Sequence, residues 1–329
     1  MNTEILPINN DSLELAKKII SNGGVVAFPT ETVYGLAANA FDTAAVESIF
    51  KIKGRPNDNP LIAHVHQNYD VSTLVINVPE YAKLLSTAFL PGPLTMVYKS
   101  KGSVSSAVSC GLDTLAVRIP SHKGAQQFLK YINLPLAAPS ANVSKHVSPV
   151  TAMHVYNDLK GKIPLILDGG KCLGGIESTV LDCTGEVPCV LRSGLISREM
   201  IAKVAGECGE YILKDGEKVR SPGMKYKHYS PDCQTVLFEY PDRGRAFNLL
   251  KQKLSEGVKA YLLCDNSVAV ECGCENILNL GVTENDIAAN LYDKLREGEK
   301  VADIIIAVAP QKQDGVMVGV MNRMRKACS

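Results

Sequence analysis

Polar and charged side chains cluster where short apolar segments end. The first cluster, residues 29–36 (PTETVYGL), directly follows the apolar segment 25–28, which we predict to be a buried strand. Open α/β sheets bind their ligands at the carboxyl ends of strands, so the hydroxyl and carboxylate groups of this cluster are candidate ligand contacts. A turn that uses its hydroxyls only as caps is the alternative. We favour the ligand-binding interpretation.

Three cations, Lys51, Lys53 and Arg55, lie within five residues at the end of a predicted helix. Cations at this position can simply complement the negative end of the helix dipole. The glycine, prolines and asparagines of residues 54–60, however, are typical of a fixed loop that presents charge. Because arginine offers a planar fork to phosphate oxygens and lysine a point charge, this loop is a candidate phosphate contact.

The remaining candidate clusters also flank predicted strands. They are Thr114 with Arg118, residues 139–148 (PSANVSKHVS), residues 174–179 (GGIEST) and residues 192–194 (RSG). An arginine in an apolar strand needs a partner, because an unpaired buried charge is costly. Small hydroxyls beside exposed backbone N–H groups can hold a phosphate. Each cluster is weak alone, but together they predict a site for a nucleotide and a small polar substrate.

Composition argues against several classes of protein. The 329 residues include 35 Lys and Arg and 34 Asp and Glu, so a net charge of +1 gives no global argument for a polyanion partner. No P-loop, nucleophile-elbow or zincin motif occurs, and no G-x-G-x-x-G follows a strand. Without an apolar run of about 18 residues or a signal-peptide pattern, we expect a cytoplasmic protein that does not contact membranes. Ten cysteines without a C-x-x-C pair predict reduced thiols, with a Cys272–Cys274 redox pair as the alternative.

Alternating apolar segments and helical patterns predict an α/β fold. We predict strands at 25–28, 61–65, 94–98, 115–119, 163–167, 178–182, 189–191, 236–238, 260–264 and 304–307, and helices at 13–20, 43–51, 79–89, 124–131, 151–159, 245–254 and 284–296. The first helix would be capped by Asp11 or Ser12 and the second by Asp42. Residues 214–227 break the pattern with five basic and two acidic residues, a composition that suits a linker or a lid over an anionic ligand.

Six motifs, in this order, closely resemble those of the threonylcarbamoyl-adenylate synthases with the YrdC-like fold. They are residues 29–36 (PTETVYGL), 51–56 (KIKGRP), 91–95 (PGPLT), 118–120 (RIP), 140–142 (SAN) and 177–180 (ESTV). Residues 221–224 (SPGM), 228–231 (HYSP) and 321–323 (MNR) resemble the long, two-domain form of that family. The resemblance implies a YrdC-like catalytic domain with an open, twisted, mixed sheet over residues 1–205. A linker over 206–233 would cover the site, and 234–329 would form a smaller Rossmann-like α/β domain.

The resemblance also implies roles for individual residues. L-Threonine would be held by Thr32, His64, Arg118, Ala138 (through its backbone) and Ser178. ATP would be held by Arg55, Asn59, Thr114, Ser140, Ser148, Arg192 and Tyr229. The signature of catalytic residues would be Lys51, Lys53, Arg55, Ser140 and Asn142. Arg118 would pair with the substrate carboxylate, which suits its fork geometry.

The family implies that L-threonine, bicarbonate or CO2, and ATP become threonylcarbamoyl-adenylate and pyrophosphate. The threonine amine becomes a carbamate, and a carbamate oxygen attacks the α-phosphorus of ATP. We expect Mg²⁺ to arrive with ATP, and we expect no organic cofactor and no metal held by protein side chains. The partners implied are the tRNA-modifying proteins that transfer the threonylcarbamoyl group to adenosine, with at most weak binding of tRNA itself. His64 is a candidate base for the amine, although a purely binding role is equally consistent with the sequence.

Two alternatives remain at this stage. A cation-lined concave surface could bind a tRNA or double-stranded RNA backbone without catalysis, although near-neutral charge and the absence of tryptophan argue against it. Hydrogenase-maturation carbamoyltransferases contain a similar domain, but they also carry acylphosphatase and zinc-finger-like modules that this sequence lacks. The C-terminal domain shows no cluster of catalytic residues, so we expect it to serve docking or regulation.

Overall fold

The computed structural model describes residues 2–211 and 229–328. Its strands are β1 (Glu4–Pro7), β2 (Val26–Phe28), β3 (Gly35–Asn39), β4 (Ile62–His64), β5 (Val75–Ile76), β6 (Leu94–Ser100), β7 (Thr114–Arg118), β8 (Leu136–Ala137), β9 (Leu165–Asp168), β10 (Thr179–Asp182), β11 (Cys189–Arg192), β12 (Gly209–Glu210), β13 (Gln234–Phe238), β14 (Ala260–Cys264), β15 (Ile277–Asn279) and β16 (Ile304–Val308). Its helices are α1 (Asn10–Ser21), α2 (Thr43–Lys53), α3 (Glu80–Phe89), α4 (Ser106–Ser109), α5 (Lys123–Ile132), α6 (Ala152–Leu159), α7 (Arg198–Ala205), α8 (Arg243–Ser255), α9 (Asn266–Cys272), α10 (Glu284–Val301) and α11 (Met317–Ala327).

Capping side chains account for where the first two helices begin. Asp42 caps α2, because its carboxylate accepts the backbone N–H of Ala45, and this confirms the prediction. For α1 the predicted caps, Asp11 and Ser12, are wrong. Asn9 is the cap instead: its side chain accepts the N–H of Ser12 while the Ser12 hydroxyl accepts the N–H of Asn9. This reciprocal pair is a capping box, and it starts the helix at Asn10, three residues earlier than the apolar spacing alone indicates.

The N-terminal part of the chain forms one large mixed sheet. In the described residues its strands follow the order β1-β9-β2-β3-β8-β4-β7-β6-β10-β11-β12, and β5 pairs with β6. Parallel and antiparallel pairs occur side by side, since β4 is parallel to β7 but antiparallel to β8. The predicted mixed α/β sheet is therefore confirmed. Helices α1 and α5 cover one face of this sheet, and α2 and α6 contribute to the core on the other.

The register of the sheet places the candidate residues in one row. His64 at the end of β4 pairs with Arg118 at the end of β7, and Arg118 pairs with Thr95 in β6. Thr95 pairs with Val180 in β10, and Val180 pairs with Arg192 at the end of β11. Because neighbouring strands lie about 4.8 Å apart, this row carries residues from five strands across about 20 Å.

Two strands beside this row were not predicted from the sequence. β3 has the sequence GLAAN, which lacks the β-branched and aromatic residues that favour strands, and β8 is only two residues long. Both strands are buried almost completely, so pairing with their neighbours outweighs their weak local preference. β12 pairs with β11 and so extends the large sheet beyond residue 205, the predicted end of the first domain.

The C-terminal part forms a separate parallel sheet with the strand order β13-β16-β14-β15. Helix α8 packs on one face through Ala246 and Leu250, and α10 and α11 cover the other through residues such as Leu291 and Met324. This arrangement confirms the smaller α/β domain. Most of the predicted linker, residues 212–228, lies outside the described residues, so the domain boundaries and the lid remain predictions.

The two domains touch at the level of their backbones. Gly175 has a φ of 70°, and a Cβ added there would lie 2.1 Å from the carbonyl oxygen of Ala288 in α10. A Cβ on Gly319 in α11 would lie 3.0 Å from the carbonyl oxygen of Gly194. These glycines let α10 and α11 approach the two loops that enter β10 and leave β11. No disulfide bond joins any of the ten cysteines, all of which lie in the described residues. No helix in the described ranges is long and apolar enough to cross a membrane.

Candidate active site

One cavity lies against the row of residues described above. Its lining comes from the loops after β2, α2 and β8, from the loop before β10, from strands β3, β4, β7 and β11, and from Tyr229. The lining residues are Thr30, Val33, Tyr34, Gly35, Arg55, Ile62, His64, Arg118, Ala138, Pro139, Ser140, Asn142, His146, Ser148, Glu177, Ser178, Arg192 and Tyr229. Ten of the fifteen residues predicted for the site are among them.

Arg118 lines this cavity and carries an unused hydrogen-bond donor. The side chain is 4% exposed, and Nη2 donates to Oε1 of Glu31 at 2.8 Å. The other oxygen of Glu31 accepts the backbone N–H of Ser121 at 3.1 Å, so the carboxylate is itself fixed. Nε of Arg118 is buried and has no hydrogen-bond partner among the described residues. Because an unsatisfied buried donor is costly, this position favours an acceptor supplied by a ligand.

His64 is a neutral imidazole beside Arg118. Its Nδ1 lies 3.1 Å from the carbonyl oxygen of Ile62, which assigns the proton to Nδ1 and leaves Nε2 as an acceptor. Burial lowers the pKa of His64 most, and the positive charge of Arg118 lowers it further, to about 3. The ring therefore stays uncharged at neutral pH.

Ser178 connects the Arg118 side of the cavity with the Arg192 side. Its hydroxyl lies 2.8 Å from the hydroxyl of Thr95, which stands opposite Arg118 in the sheet. Its carbonyl oxygen accepts from Nη2 of Arg192 at 2.9 Å. These two hydrogen bonds fix the orientation of Ser178 between Thr95 and Arg192.

The serine and asparagine of residues 140–142 are held from behind by Lys53. Nζ of Lys53 donates to the carbonyl oxygens of Ser140 and Asn142, both at 2.5 Å. The Ser140 hydroxyl donates to Oδ1 of Asn142 at 2.6 Å. Burial, followed by the nearby charge of Arg55, lowers the pKa of Lys53 below its ordinary value. Lys53 itself does not line the cavity, so its contribution is to fix the loop that does.

Lys51 points away from the site. Two residues along a helix correspond to a rotation of roughly 200°, so Lys51 and Lys53 occupy opposite faces of α2. Lys51 is accordingly exposed, while Lys53 is buried. The predicted catalytic role of Lys51 has no geometric support in this structure.

Thr32, Asn59 and Thr114 also lie outside the lining. The Thr32 side chain is buried, and its hydroxyl is 2.9 Å from that of Thr30, which does line the cavity. Asn59 is buried too, and its carbonyl oxygen accepts from Nη2 of Arg55 at 3.2 Å. Thr114 begins β7, four residues or about 13 Å along the strand from Arg118. Direct ligand contacts by these three residues therefore stay predictions that this geometry does not favour.

Glu177 is a lining residue to which the sequence assigned no role. Its Oε1 accepts the hydroxyl of Ser148 at 2.6 Å. Its Oε2 accepts from the Tyr292 hydroxyl at 2.9 Å and from Nε of Arg323 at 3.1 Å. Burial alone would raise the pKa of Glu177, but the charges of Arg323 and Arg192 and the Ser148 hydrogen bond lower it to about 2. The cavity therefore contains a permanent carboxylate that three donors hold.

His146 is the second unassigned ionisable group of the lining. Nδ1 lies 3.1 Å from Oδ2 of Asp158 and Nε2 lies 2.9 Å from Oε2 of Glu299. Burial opposes the charge of His146, but the hydrogen bonds that the ring donates to Asp158 and Glu299 prevail and raise its pKa to about 9. His146, Glu299 and Asp232 lie close enough together for a metal ion. In this structure both ring nitrogens of His146 face carboxylates, so the group is arranged as an ion-pair cluster.

Tyr229 lies within the predicted linker and is the first described residue after position 228. It is 5% exposed, has a φ of 70° and stacks on Tyr292 with the ring centroids 5.3 Å apart. The sequence marked Tyr229 through the motif at 228–231. It marked His146 and Glu177 only through their positions inside the candidate segments 139–148 and 174–179. Sequence alone could not show that these side chains turn into the cavity, because contacts of residues more than 100 positions apart fix their orientation.

Two family descriptions match this chain, one over each domain. Residues 18–194 match the Sua5/YciO/YrdC family, described as "Telomere recombination", and residues 196–329 match "Threonylcarbamoyl-AMP synthase, C-terminal domain". A threonylcarbamoyl-AMP synthase of Pyrococcus abyssi is 40% identical over 96% of this chain and 93% of that protein. One of Bacillus subtilis is 40% identical over 99% of this chain and 95% of that protein.

A crystal structure gives the same result in three dimensions. The structure of P. abyssi Sua5 complexed with L-threonine superposes with a TM-score of 0.90 at 39% identity, over 99% of this chain and 97% of that chain. That superposition includes both domains of the chain. The chain therefore belongs to the threonylcarbamoyl-AMP synthases, in the form that carries a YrdC-type domain followed by a Sua5-type C-terminal domain.

Proposed function

We propose that this chain condenses L-threonine, bicarbonate or CO2, and ATP into threonylcarbamoyl-AMP and pyrophosphate in the cytoplasm, for use by tRNA-modifying proteins. The observation that supports this most directly is the buried, unpartnered Nε of Arg118 in a cavity that also contains Arg55 and Arg192. One carboxylate-sized acceptor and one polyanion would satisfy this set of donors. Threonine and ATP supply these two groups.

Threonine would occupy the part of the cavity formed by β4, β7 and β8. Its carboxylate would accept from Nε of Arg118, whose Nη2 is already fixed by Glu31. The acceptor Nε2 of His64 and the backbone of Ala138 would contact the amine and the side chain. With a pKa of about 3, His64 is a weak acceptor for an ammonium proton, so we assign it to binding rather than to general base catalysis.

ATP would occupy the part of the cavity that contains Arg55, Ser140, Ser148 and Arg192. Burial lowers the pKa of Arg55 to about 10, which leaves it a cation at neutral pH. In this arrangement a carbamate oxygen attacks the α-phosphorus, the bond from that phosphorus to the bridging oxygen breaks, and pyrophosphate leaves with the electron pair. Fixed guanidinium groups would stabilise the charge that grows on the phosphate oxygens, because they need no reorganisation during the step.

Magnesium would enter as part of the MgATP substrate. Mg²⁺ prefers carboxylate, water and phosphate oxygens. Among the described lining residues the one carboxylate is Glu177, and both its oxygens already accept hydrogen bonds. The chain therefore offers the metal no free carboxylate here, and no step in this proposal passes through a protein-bound ion.

The test is pyrophosphate release by the full-length protein with MgATP and bicarbonate, with L-threonine, with L-serine and without amino acid. We expect release that depends on L-threonine and that falls strongly in Arg118→Ala. Folded protein that shows no threonine dependence contradicts the proposal. Salt-sensitive binding of tRNA without turnover would then favour the RNA-binding alternative.

A further inference from the structure

The C-terminal domain reaches the cavity through two buried side chains. Arg323 on α11 is 0% exposed and donates through Nε to Glu177. Tyr292 on α10 is also fully buried and donates to the same carboxylate oxygen. Glu177 lines the cavity, whereas Arg323 and Tyr292 lie directly behind it. The carboxylate is therefore held from one side by the first domain and from the other by the second.

We propose that Arg323 and Tyr292 are positioning residues for the nucleotide half of the site, a proposal that rests on the function proposed above. They hold the Glu177 carboxylate where it accepts the Ser148 hydroxyl proton, and they pack against Tyr229. The Tyr229 ring stacks on Tyr292, and the Arg323 guanidinium carbon is 5.8 Å from the centroid of the Tyr229 ring. Two predicted ATP contacts, Ser148 and Tyr229, thus take their orientation from the C-terminal domain.

Charge balance explains why arginine occupies position 323. Glu177 is a buried carboxylate in a cavity that would receive the negatively charged phosphates of ATP. Without a counter-charge it would repel the nucleotide, because screening is weak in a buried site. Arg323 supplies this counter-charge and is itself anchored, since Nη1 donates to the carbonyl oxygens of Ser193 and Gly319. Nη2 of Arg323 is a further hydrogen-bond donor. It is buried and has no partner among the described residues.

The geometry limits this effect to one substrate. The predicted threonine contacts His64 and Arg118 lie on β4 and β7, and Ala138 follows β8; their described hydrogen bonds involve neither Arg323 nor Tyr292. Ser178, a further predicted threonine contact, directly follows Glu177, but its hydroxyl is held by Thr95 rather than by the C-terminal domain. Loss of the positioning residues should therefore weaken ATP binding far more than threonine binding. General destabilisation of the fold would instead reduce the active fraction and change no Michaelis constant.

The experiment is steady-state pyrophosphate release by full-length variants, with each substrate varied in turn. We expect Arg323→Gln to raise the KM for ATP by about tenfold or more, the effect of losing one charged hydrogen bond. The KM for L-threonine should stay within about twofold, since its contacts lie elsewhere. Arg323→Lys should recover part of the loss because it restores the counter-charge. Arg325→Gln is the matched control, since Arg325 lies on the same helix but is half-exposed and pairs with Glu239.

A second variant, Tyr292→Phe, keeps the proposal testable if Arg323→Gln fails to fold. It removes only the hydroxyl that bonds Glu177, and it should raise the KM for ATP in the same direction by a smaller factor. An unchanged KM for ATP in both Arg323→Gln and Tyr292→Phe overturns the proposal, as does an equal rise for both substrates. If the unaltered protein shows no threonine-dependent turnover, the proposed function fails, and calorimetric binding of MgATP to the same variants still decides the role of Arg323.

Discussion

Replacing Arg118 by lysine tests the carboxylate site without removing its charge. Lysine keeps a cation in the cavity but lacks the planar fork, so its single nitrogen cannot occupy both the position of Nη2, which bonds Glu31, and the position of Nε, which we assign to the ligand. The loss corresponds to one hydrogen bond between charged groups, about 1.5–3 kcal/mol. Since each 1.4 kcal/mol is about tenfold, the KM for L-threonine should rise about 10- to 100-fold.

The assay is pyrophosphate release against L-threonine concentration at saturating MgATP, together with calorimetric binding of threonine. Thermal unfolding of the variant controls for damage to the fold. Glu31 should tolerate the change, because its second oxygen still accepts the N–H of Ser121 and its side chain is 17% exposed. A KM for L-threonine within twofold of the original, in a protein of normal stability, would refute the assignment of Arg118 to the carboxylate.

Three further predictions follow from contacts described above. His146 has a pKa raised to about 9, so its ion pairs stabilise the fold fully below its ordinary pKa of about 6.5 and less as the pH rises towards 9. Urea unfolding should therefore show that the penalty of His146→Asn is largest at pH 6 and smallest near pH 9. Lys53→Met should lower turnover by about tenfold or more, because residues 140–142 lose their anchor, whereas Lys51→Met should stay within about twofold; similar effects of both changes in the pyrophosphate assay would contradict the assignment. Gly175→Ala should destabilise the protein by about 2 kcal/mol or more in thermal unfolding, because the added Cβ meets the backbone of α10.

The sequence predicted most of the large elements and the edge of the sheet at which the site lies. This was possible because strong local signals mark these positions: the apolar segment 25–28 precedes a polar turn, and Asp42 caps α2 as expected. Strands β3 and β8 were not predicted, because their short, alanine-rich segments become strands only through pairing with neighbours. Local propensity cannot report that kind of stabilisation.

The sequence predicted which residues belong to the site more completely than it predicted how those residues are arranged. Motifs identified Arg55, Arg118 and Arg192, but they placed Lys51 and Lys53 in the same role although the two side chains occupy opposite helix faces. Glu177 and Arg323 received no role, because their contact joins residues 146 positions apart. Such pairing depends on how the two domains pack, which no local pattern in the sequence describes.

The same separation has a consequence for synthesis of the chain on the ribosome. Proteins are made from the N-terminus, and domains generally fold as units as they emerge. Until residue 323 has been made and α11 has docked, the Glu177 oxygen that accepts from Arg323 can bond only water or a provisional partner. A nascent chain therefore holds its predicted threonine contacts, and every predicted nucleotide contact except Tyr229, before the second domain fixes the Glu177 carboxylate to which Ser148 is bonded.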